Sequence, residues 1–308
     1  MNTDQIRLIL AVYEEGSISN AAKKLYISQP SLSQKIQAIE NSLNIKIFNR
    51  HVNPISLTYA GERYLDAAKR VLRIHDNLIK EINEINQETR GKIRIGISSN
   101  RAMLILPKLL PAFLKKYPLV DIELFEDEGS VAMSDVALSG QVDLAFVNAY
   151  ARSEKLRYVL LRREEAVLFC GRETNLARRI PDGKTIHISE AKDESFISVF
   201  KGRGIRDIQD RLFDEYKISP KILLETRSVE VARRLAISCN AVTLYPAILL
   251  EEMESLGEKS VLYHIAGEQF KRDFSICYHK ELYLPKYMED FILFAQDIFR
   301  WKNDPMPF

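Results

Sequence analysis

Apolar residues in the first forty positions recur at the spacing of amphipathic helices. Ile6, Ile9, Leu10 and Tyr13 share one face, and Glu14-Glu15-Gly16-Ser17 ends that helix with Gly16 at a C-terminal stop. Ser19 is the expected cap of a second helix over residues 20–25, whose paired Ala21 and Ala22 allow close packing. Ile27-Ser28-Gln29-Pro30 then makes a tight turn that leaves Pro30 in the first turn of a third helix. Two short helices joined by a short turn predict a helix-turn-helix. On the third helix Leu32, Ile36, Ile39 and Leu43 form the core stripe, and Gln34 points the opposite way. Pro30, Ser31, Ser33 and Gln37 flank Gln34, with Lys35 toward the edge.

Residues 45–50 alternate like a short strand, residues 51–54 turn, and residues 55–58 alternate back, which predicts a hairpin wing with Arg50 at its base. From Tyr59 to about Gln87 there is no proline, and Gly61 is the only glycine, so one long helix is expected. Leu65, Ala68, Leu72, His75, Ile79 and Ile82 step along it by three and four, with Val71, Leu78 and Ile85 widening the stripe. That is coiled-coil spacing and predicts a dimerisation seam, in which the polar His75 and Asn86 would set the register.

After Thr89-Arg90-Gly91 strands alternate with helices, the pattern of an α/β domain. Strands are expected at 92–97, 120–126 and 142–147, with helices over 103–117 and from Ser130. A second set follows: strands at 165–170, 196–199, 221–224 and 241–244, and helices over 205–216 and 230–238. Late in the chain, 272–279 reads as a strand and 286–301 as a helix. Four segments of hydroxyl, amide, glycine and basic residues precede predicted helices: Ser98-Ser99-Asn100-Arg101, Gly129-Ser130, Phe200-Lys201-Gly202-Arg203-Gly204 and Thr226-Arg227-Ser228. Each alone is compatible with plain capping. Together they suggest an anion site, since helix N-termini offer N–H groups and positive partial charge. The Gly202-Arg203-Gly204 run is no dinucleotide fingerprint, because Asp207 occupies the third glycine position.

Charge and composition narrow the classes. Of 44 Lys+Arg and 42 Asp+Glu in 308 residues, the first 90 hold 12 and 10, leaving 32 of each for the rest. Residues 20–58 carry Lys23, Lys24, Lys35, Lys46 and Arg50 against the single acid Glu40, a local positive surface suited to a polyanion. Gln can pair with adenine and Ser with several base edges, while Lys and backbone N–H groups hold phosphates. The N-terminus has no basic stretch followed by an apolar one, and the most apolar segment, residues 241–250, contains Thr243 and Pro246, so neither export nor membrane insertion is expected. Cys170, Cys239 and Cys277 are far apart and lack CxxC spacing, and the five histidines form no HxH or HxxxH pair. Neither a disulfide framework nor a metal site is suggested, and the thiols suit a reducing cytoplasm.

The run from Gly16 to Glu40, GSISNAAKKLYISQPSLSQKIQAIE, together with Phe48-Asn49-Arg50 and Leu57-Thr58-Tyr59-Ala60-Gly61, resembles the signature of LysR-type transcriptional regulators. It departs from the usual pattern at Leu43-Asn44, where the family has Leu-Gly, and at Ile47, where it has Leu. The C-terminal likeness is looser and rests on Gly96, Pro107, Val142-Asp143-Leu144-Ala145 and Pro246, with Cys239-Asn240 standing where relatives often have a Gly-x-Gly segment. The resemblance implies an all-α winged helix-turn-helix at 1–58, a linker and dimerisation helix at 59–90, and a two-lobed, periplasmic-binding-protein-like α/β effector domain at 91–308. Lobe 1 would comprise about 91–162 and 267–308, and lobe 2 about 163–266. It implies DNA contacts from Ser28, Gln29, Pro30, Ser31, Ser33, Gln34, Lys35 and Gln37 on the third helix, and from Arg50, Asn53, Ser56 and Thr58 around the wing. Effector contacts are expected from Ser98, Ser99, Asn100, Arg101, Gly129, Ser130 and Asn148 in one lobe, and from Phe200, Lys201, Gly202, Arg203 and Thr226 in the other. The expected partners are an operator duplex, a small anionic effector, a second copy of the chain in a dimer or tetramer, and RNA polymerase if the protein activates. No cofactor is implied. A solute-binding transport component or an enzyme could share the C-terminal fold, but the first leaves the DNA module unexplained. The second lacks a GxSxG elbow, a P-loop and an HExxH helix.

Overall fold

The computed structural model describes residues 2–300 except His51, Asn53 and segments 87–89, 128–131, 149–151, 202–203, 251–258 and 268–270, with the side chain of Arg300 also outside the description. The chain divides into two compact units, Met1–Gln87 and Glu88–Phe308.

In the first unit α1 (Thr3–Glu15) starts with a reciprocal cap between Asn2 and Gln5 and ends at Gly16, whose φ of 56° is left-handed. Helix α2 (Ile18–Lys24) begins earlier than expected. Ser17, in extended conformation, accepts from the N–H of Asn20 as its cap, which places Ser19 inside the first turn. Ser28 caps α3 (Gln29–Leu43) by accepting from the N–H of Ser31, and Asn44 closes that helix at φ 52°, supplying the left-handed residue that a glycine gives elsewhere. Ile9, Val12, Ala21, Ala22, Leu32, Ile36 and Ile39 pack into one core with Ile47 and Phe48 from the wing. The wing is shorter than the alternation suggested: β1 (Phe48–Asn49) pairs antiparallel with β2 (Ser56–Leu57) over two residues each.

Helix α4 (Tyr59–Ile85) follows, with Thr58 accepting from the N–H of Gly61 at its start. A Cβ at Gly61 would lie 2.0 Å from the carbonyl oxygen of Ile47, so only glycine lets α4 pass this close to the wing. Leu65 and Ala68, expected in a dimer seam, are buried in this unit instead, Leu65 within the core just described.

The second unit contains two sheets. The first has the order β4-β3-β5-β13-β6, built from β3 (Gly91–Ser98), β4 (Val120–Asp127), β5 (Leu144–Asn148), β6 (Leu156–Glu164) and the late β13 (Arg272–His279). Helices α5 (Ser99–Lys116) and α6 (Met133–Ser139) connect the parallel strands, and α10 (Lys286–Arg300) packs beside α5 through Phe113 and Phe291, which meet edge to face. The second sheet runs β10-β9-β11-β7-β12-β8, from β7 (Ala166–Gly171), β8 (Thr185–Ile186), β9 (Phe196–Val199), β10 (Ile222–Thr226), β11 (Val242–Pro246) and β12 (Ser260–Ile265). Its helices are α7 (Asn175–Arg179), α8 (Gly204–Glu215) and α9 (Val229–Ser238), over a core that includes Leu168, Phe196, Ile208, Leu212 and Tyr263. The chain passes from one sheet to the other between Glu164 and Ala166 and returns between Ile265 and Arg272.

Three expectations shift here. Helix α5 starts at Ser99 rather than Met103, so the segment thought to precede it forms its cap and first turn. Helix α6 starts at Met133, and Ser130 lies outside the described residues. Strands β6, β8 and β12 were not anticipated; β6, at a sheet edge, carries Arg157, Arg162 and Arg163 among its apolar residues, which hides the strand period.

Candidate DNA interface and effector cleft

Gln29, Pro30, Gln34, Lys35 and Gln37 are exposed on the outer side of α3, and Ser31 and Ser33 are half-buried beside them. Ser28 is exposed and caps the helix. Glu40, the one acid of this helix, is turned inward, so the exposed face carries Lys35 and no carboxylate. The buried Glu40 carboxylate accepts from the N–H groups of Ile47 (2.9 Å) and Phe48 (3.3 Å) and pairs with Arg50 at 3.0 Å, joining the recognition helix to the foot of the wing. Arg50, expected among the DNA contacts of the wing, is engaged in this ion pair. Thr58 is also occupied inside the fold, donating to the Lys46 carbonyl while it caps α4. Ser56 is exposed and accepts from the Asn49 side chain at 3.2 Å; Asn53 lies outside the described residues. The role of Glu40 was missed, and its only sequence signal is a lone acid in a basic stretch.

On α4, Leu72 and His75 are half-buried, while Ile79 and Ile82 are exposed. The apolar residues presented to solvent are Val71, Ile74, Leu78, Ile79, Ile82 and Ile85, with Ile74 69% and Ile85 72% exposed. Apart from Ile79 they step by three and four along a stripe adjacent to the one that faces the core.

In the second unit the carboxyl ends of the parallel β3, β4 and β5 share one edge of their sheet, and those of β9, β10 and β11 share one edge of theirs. Such edges are where ligands bind in α/β folds. Ser98 is the N-cap of α5, yet its side chain makes no capping hydrogen bond; Ser99 and Asn100 follow, half-buried. Arg101 is not a cation offered to a ligand. Its guanidinium donates to both oxygens of Glu164, at 2.6 and 2.7 Å, and to Asn148 Oδ1 at 2.6 Å, and it lies 4.0 Å from the ring centroid of Phe274. Asn148 in turn donates to Glu164 at 3.0 Å. Burial pushes the Glu164 carboxyl up, but the Arg101 charge and hydrogen bonds, helped by Arg272 and Asn148, hold it below the ordinary carboxylate range.

Arg272, at the start of the return strand, lies with Nε 3.6 Å from Glu164, and its Nη1 is 2.9 Å from where a Cβ would stand on Gly204, the first residue of α8. A buried guanidinium from one sheet therefore abuts a helix start in the other lobe. Nearby, the N–H of Phe200 donates to the carbonyl of Thr226 at 3.0 Å, which joins the ends of β9 and β10; Phe200 and Lys201 are exposed and Thr226 is half-buried. Gly129, Ser130, Gly202 and Arg203 lie outside the described residues. The structure thus gathers Ser98, Ser99, Asn100, Arg101 and Asn148 around one sheet edge, and Phe200, Lys201 and Thr226 around the other. Sequence reasoning missed Glu164 and Arg272, which stand at the two crossings between lobes. A cavity of about 280 Å³ at those crossings, lined by residues that include Arg163, Glu165, Ile248 and Lys271, contains none of the expected effector residues. Burial pushes the thiols of Cys170 and Cys277 up to about 11 and about 12, while Cys239 is exposed.

Residues 3–62 match the bacterial regulatory helix-turn-helix protein, lysR family, and residues 86–300 match the LysR substrate binding domain. A probable RuBisCO transcriptional regulator from Guillardia theta is 31% identical, over 94% of this chain and 93% of its own. The fold is shared with full-length CbnR crystallised with its target DNA (23% identity, TM-score 0.61, 96% of this chain and 99% of that one). It is also shared with a full-length OxyR variant from Pseudomonas aeruginosa (18% identity, TM-score 0.73, 100% and 99%). The chain belongs to the LysR family of transcriptional regulators. It is a helix-turn-helix DNA-binding regulator with an effector-binding domain, not an enzyme or a transport component. No helix among the described residues is long and apolar enough to cross a membrane.

Proposed function

We propose that the protein acts in the cytoplasm as a homodimer, assembling further to a tetramer, that docks α3 of each copy in the major groove of an operator. Gln34 and the neighbouring Gln29, Ser31, Ser33 and Gln37 read base edges, and Ser28 and Lys35 hold phosphates. A small anionic effector sits where the strand ends of the two lobes meet, contacted by Ser98, Ser99, Asn100, Phe200, Lys201 and Thr226; the contacts expected from Gly129, Ser130, Gly202 and Arg203 fall outside the described residues. Arg101 and Asn148 act there as positioning residues held by Glu164. Contact with RNA polymerase belongs to this reading if the protein activates.

The observation that carries the effector half is the buried Arg272 guanidinium against the N-terminus of α8. The helix end favours a negative group, as does the guanidinium, whose Nε faces Glu164 at 3.6 Å while its Nη1 lies toward α8, and Ser98 and Ser99 begin a second helix on the facing edge. The observation behind the DNA half is the acid-free exposed face of α3.

Titration of fluorescent upstream DNA and a random duplex of equal length tests the DNA half. Gln34→Ala should lose about 1 to 3 kcal/mol of preference for the operator, whereas Lys35→Ala should weaken both duplexes alike and flatten the salt dependence by about one unit. Unaltered preference in Gln34→Ala removes α3 from the groove. A thermal-shift screen of small carboxylates tests the effector half, and the lack of any stabilising carboxylate would count against an anionic ligand.

A further inference from the structure

Tyr26 stands in the turn between α2 and α3 with φ 55° and 95% of its surface exposed. Around it the backbone makes a complete helix closure: its own N–H donates to the Lys23 carbonyl and that of Ile27 to the Ala22 carbonyl, both at 3.1 Å. Tyr26 therefore takes the left-handed position just past the cap, where glycine is favoured because a Cβ crowds the neighbouring carbonyl. Elsewhere the chain follows that preference, with Gly16 after α1, Gly140 after α6, and Asn44 and Asn240 after α3 and α9. Lys217, after α8, is a charged side chain whose exposure needs no explanation. A tyrosine bears the backbone strain without the burial that would offset it, since its ring meets water on nearly every side. Strain of this kind marks sites that something other than folding maintains.

Its surroundings point to what that is. Tyr26 lies two residues before Ser28, the cap of the helix whose face carries Gln29, Gln34 and Lys35, and the exposed Lys23 lies in the preceding turn. The acids at the end of α1, Glu14 and Glu15, are both engaged by Lys24. A phenol fits a nucleic-acid backbone: its flat apolar ring covers a deoxyribose, and its hydroxyl donates to a phosphate oxygen. We infer that Tyr26 is a further DNA contact, lying on the sugar-phosphate backbone beside the groove that α3 enters. The inference rests on the docking of α3 proposed above.

The test uses the full chain, with upstream DNA and a random duplex titrated across a salt series. Tyr26→Phe should weaken both duplexes equally, by roughly two- to tenfold, the scale of one neutral hydrogen bond. The salt slope should not change, because a neutral hydroxyl displaces no counterion. Tyr26→Gly should weaken DNA binding at least as much while raising the melting temperature, since glycine relieves the left-handed strain. Wild-type binding by both variants overturns the inference, and so does a loss confined to the upstream DNA, which would make Tyr26 a reader of bases. Gln34→Ala separates the two levels. If it retains operator preference, the docking fails and takes this contact with it; if it loses preference while Tyr26→Phe and Tyr26→Gly both bind normally, Tyr26 alone is overturned.

Discussion

Glu164 is buried, and its two oxygens receive Arg101, with Arg272 and Asn148 adjoining. Replacing it with Gln removes the carboxylate to which the buried Arg101 guanidinium is paired, a change of the kind that costs about 3 to 5 kcal/mol. Its pKa also dictates a pH dependence. A carboxyl held below its unfolded value stabilises the fold above that value, near 4.5, and the stabilisation is lost as pH falls through the folded pKa. Glu230 acts in the same sense: the hydrogen bonds of Arg233, opposed by burial and aided by Arg234, bring its carboxyl down to about 2. Acid unfolding of the second unit should therefore run from about pH 4.5 toward 2. Urea melts followed by circular dichroism at pH 7, 5, 4 and 3 should show Glu164→Gln less stable at pH 7 and with a shallower decline below pH 5. Equal midpoints for variant and wild type at pH 7 would mean that the arginines find other partners.

At the scale of elements, α4 carries two adjacent apolar stripes. Gly61, Leu65 and Ala68 are buried in its first half, and Val71, Ile74, Leu78, Ile82 and Ile85 lie toward solvent farther along. If the exposed stripe is the dimer seam, Ile74→Asp with Leu78→Asp should split the dimer in sedimentation at micromolar concentration without lowering the melting temperature of the first unit. Leu65→Ala should do the reverse, losing about 2 to 5 kcal/mol of stability while remaining dimeric. A double Asp variant that still sediments as a dimer would place the association in the second unit. The periodicity revealed the helix but not which stripe faces its own domain, because that choice depends on Gly61 passing the Ile47 carbonyl, a long-range contact with no local signature. The same limit explains the other differences. Helix α3 was legible down to its outward face, since Ser28, Pro30 and the Leu32-Ile36-Ile39 stripe are local signals. Edge strand β6 was hidden by its arginines, and the ion pairs of Arg50 and Arg101 were hidden because Glu40 and Glu164 are ten and sixty-three residues away.

Among the described residues the chain passes between the two sheets of the second unit at Glu164 and at Arg272, so whatever binds between the strand ends also bears on the relative setting of the lobes. An anion held by the starts of α5 and α8 would draw the two edges together, and release would relax them, which is the kind of differential contact that a ligand-driven shift requires. Ser99 and Gly204 probe the two sides separately. Because Ser98 occupies the cap position and Ser99 lies inside the helix, Ser99→Ala removes a hydroxyl without removing a cap, and stability should be nearly unchanged. Its loss should appear in effector affinity, by about 1.5 to 3 kcal/mol, the scale of a hydrogen bond to a charged group. Gly204→Ala acts from the other lobe: the new methyl would lie 2.9 Å from Arg272 Nη1 and must push that flexible guanidinium tip aside, weakening the same ligand through a residue that need not touch it. Both variants should bind upstream DNA like wild type when no effector is present, since neither alters the first unit. Calorimetric titration with a carboxylate that stabilises the wild-type protein, read beside melting temperatures and ligand-free DNA affinity, gives all three quantities. Undiminished carboxylate affinity in both variants would move the effector away from these helix starts. A loss in Gly204→Ala alone would keep it at Arg272 and excuse Ser99 from the site.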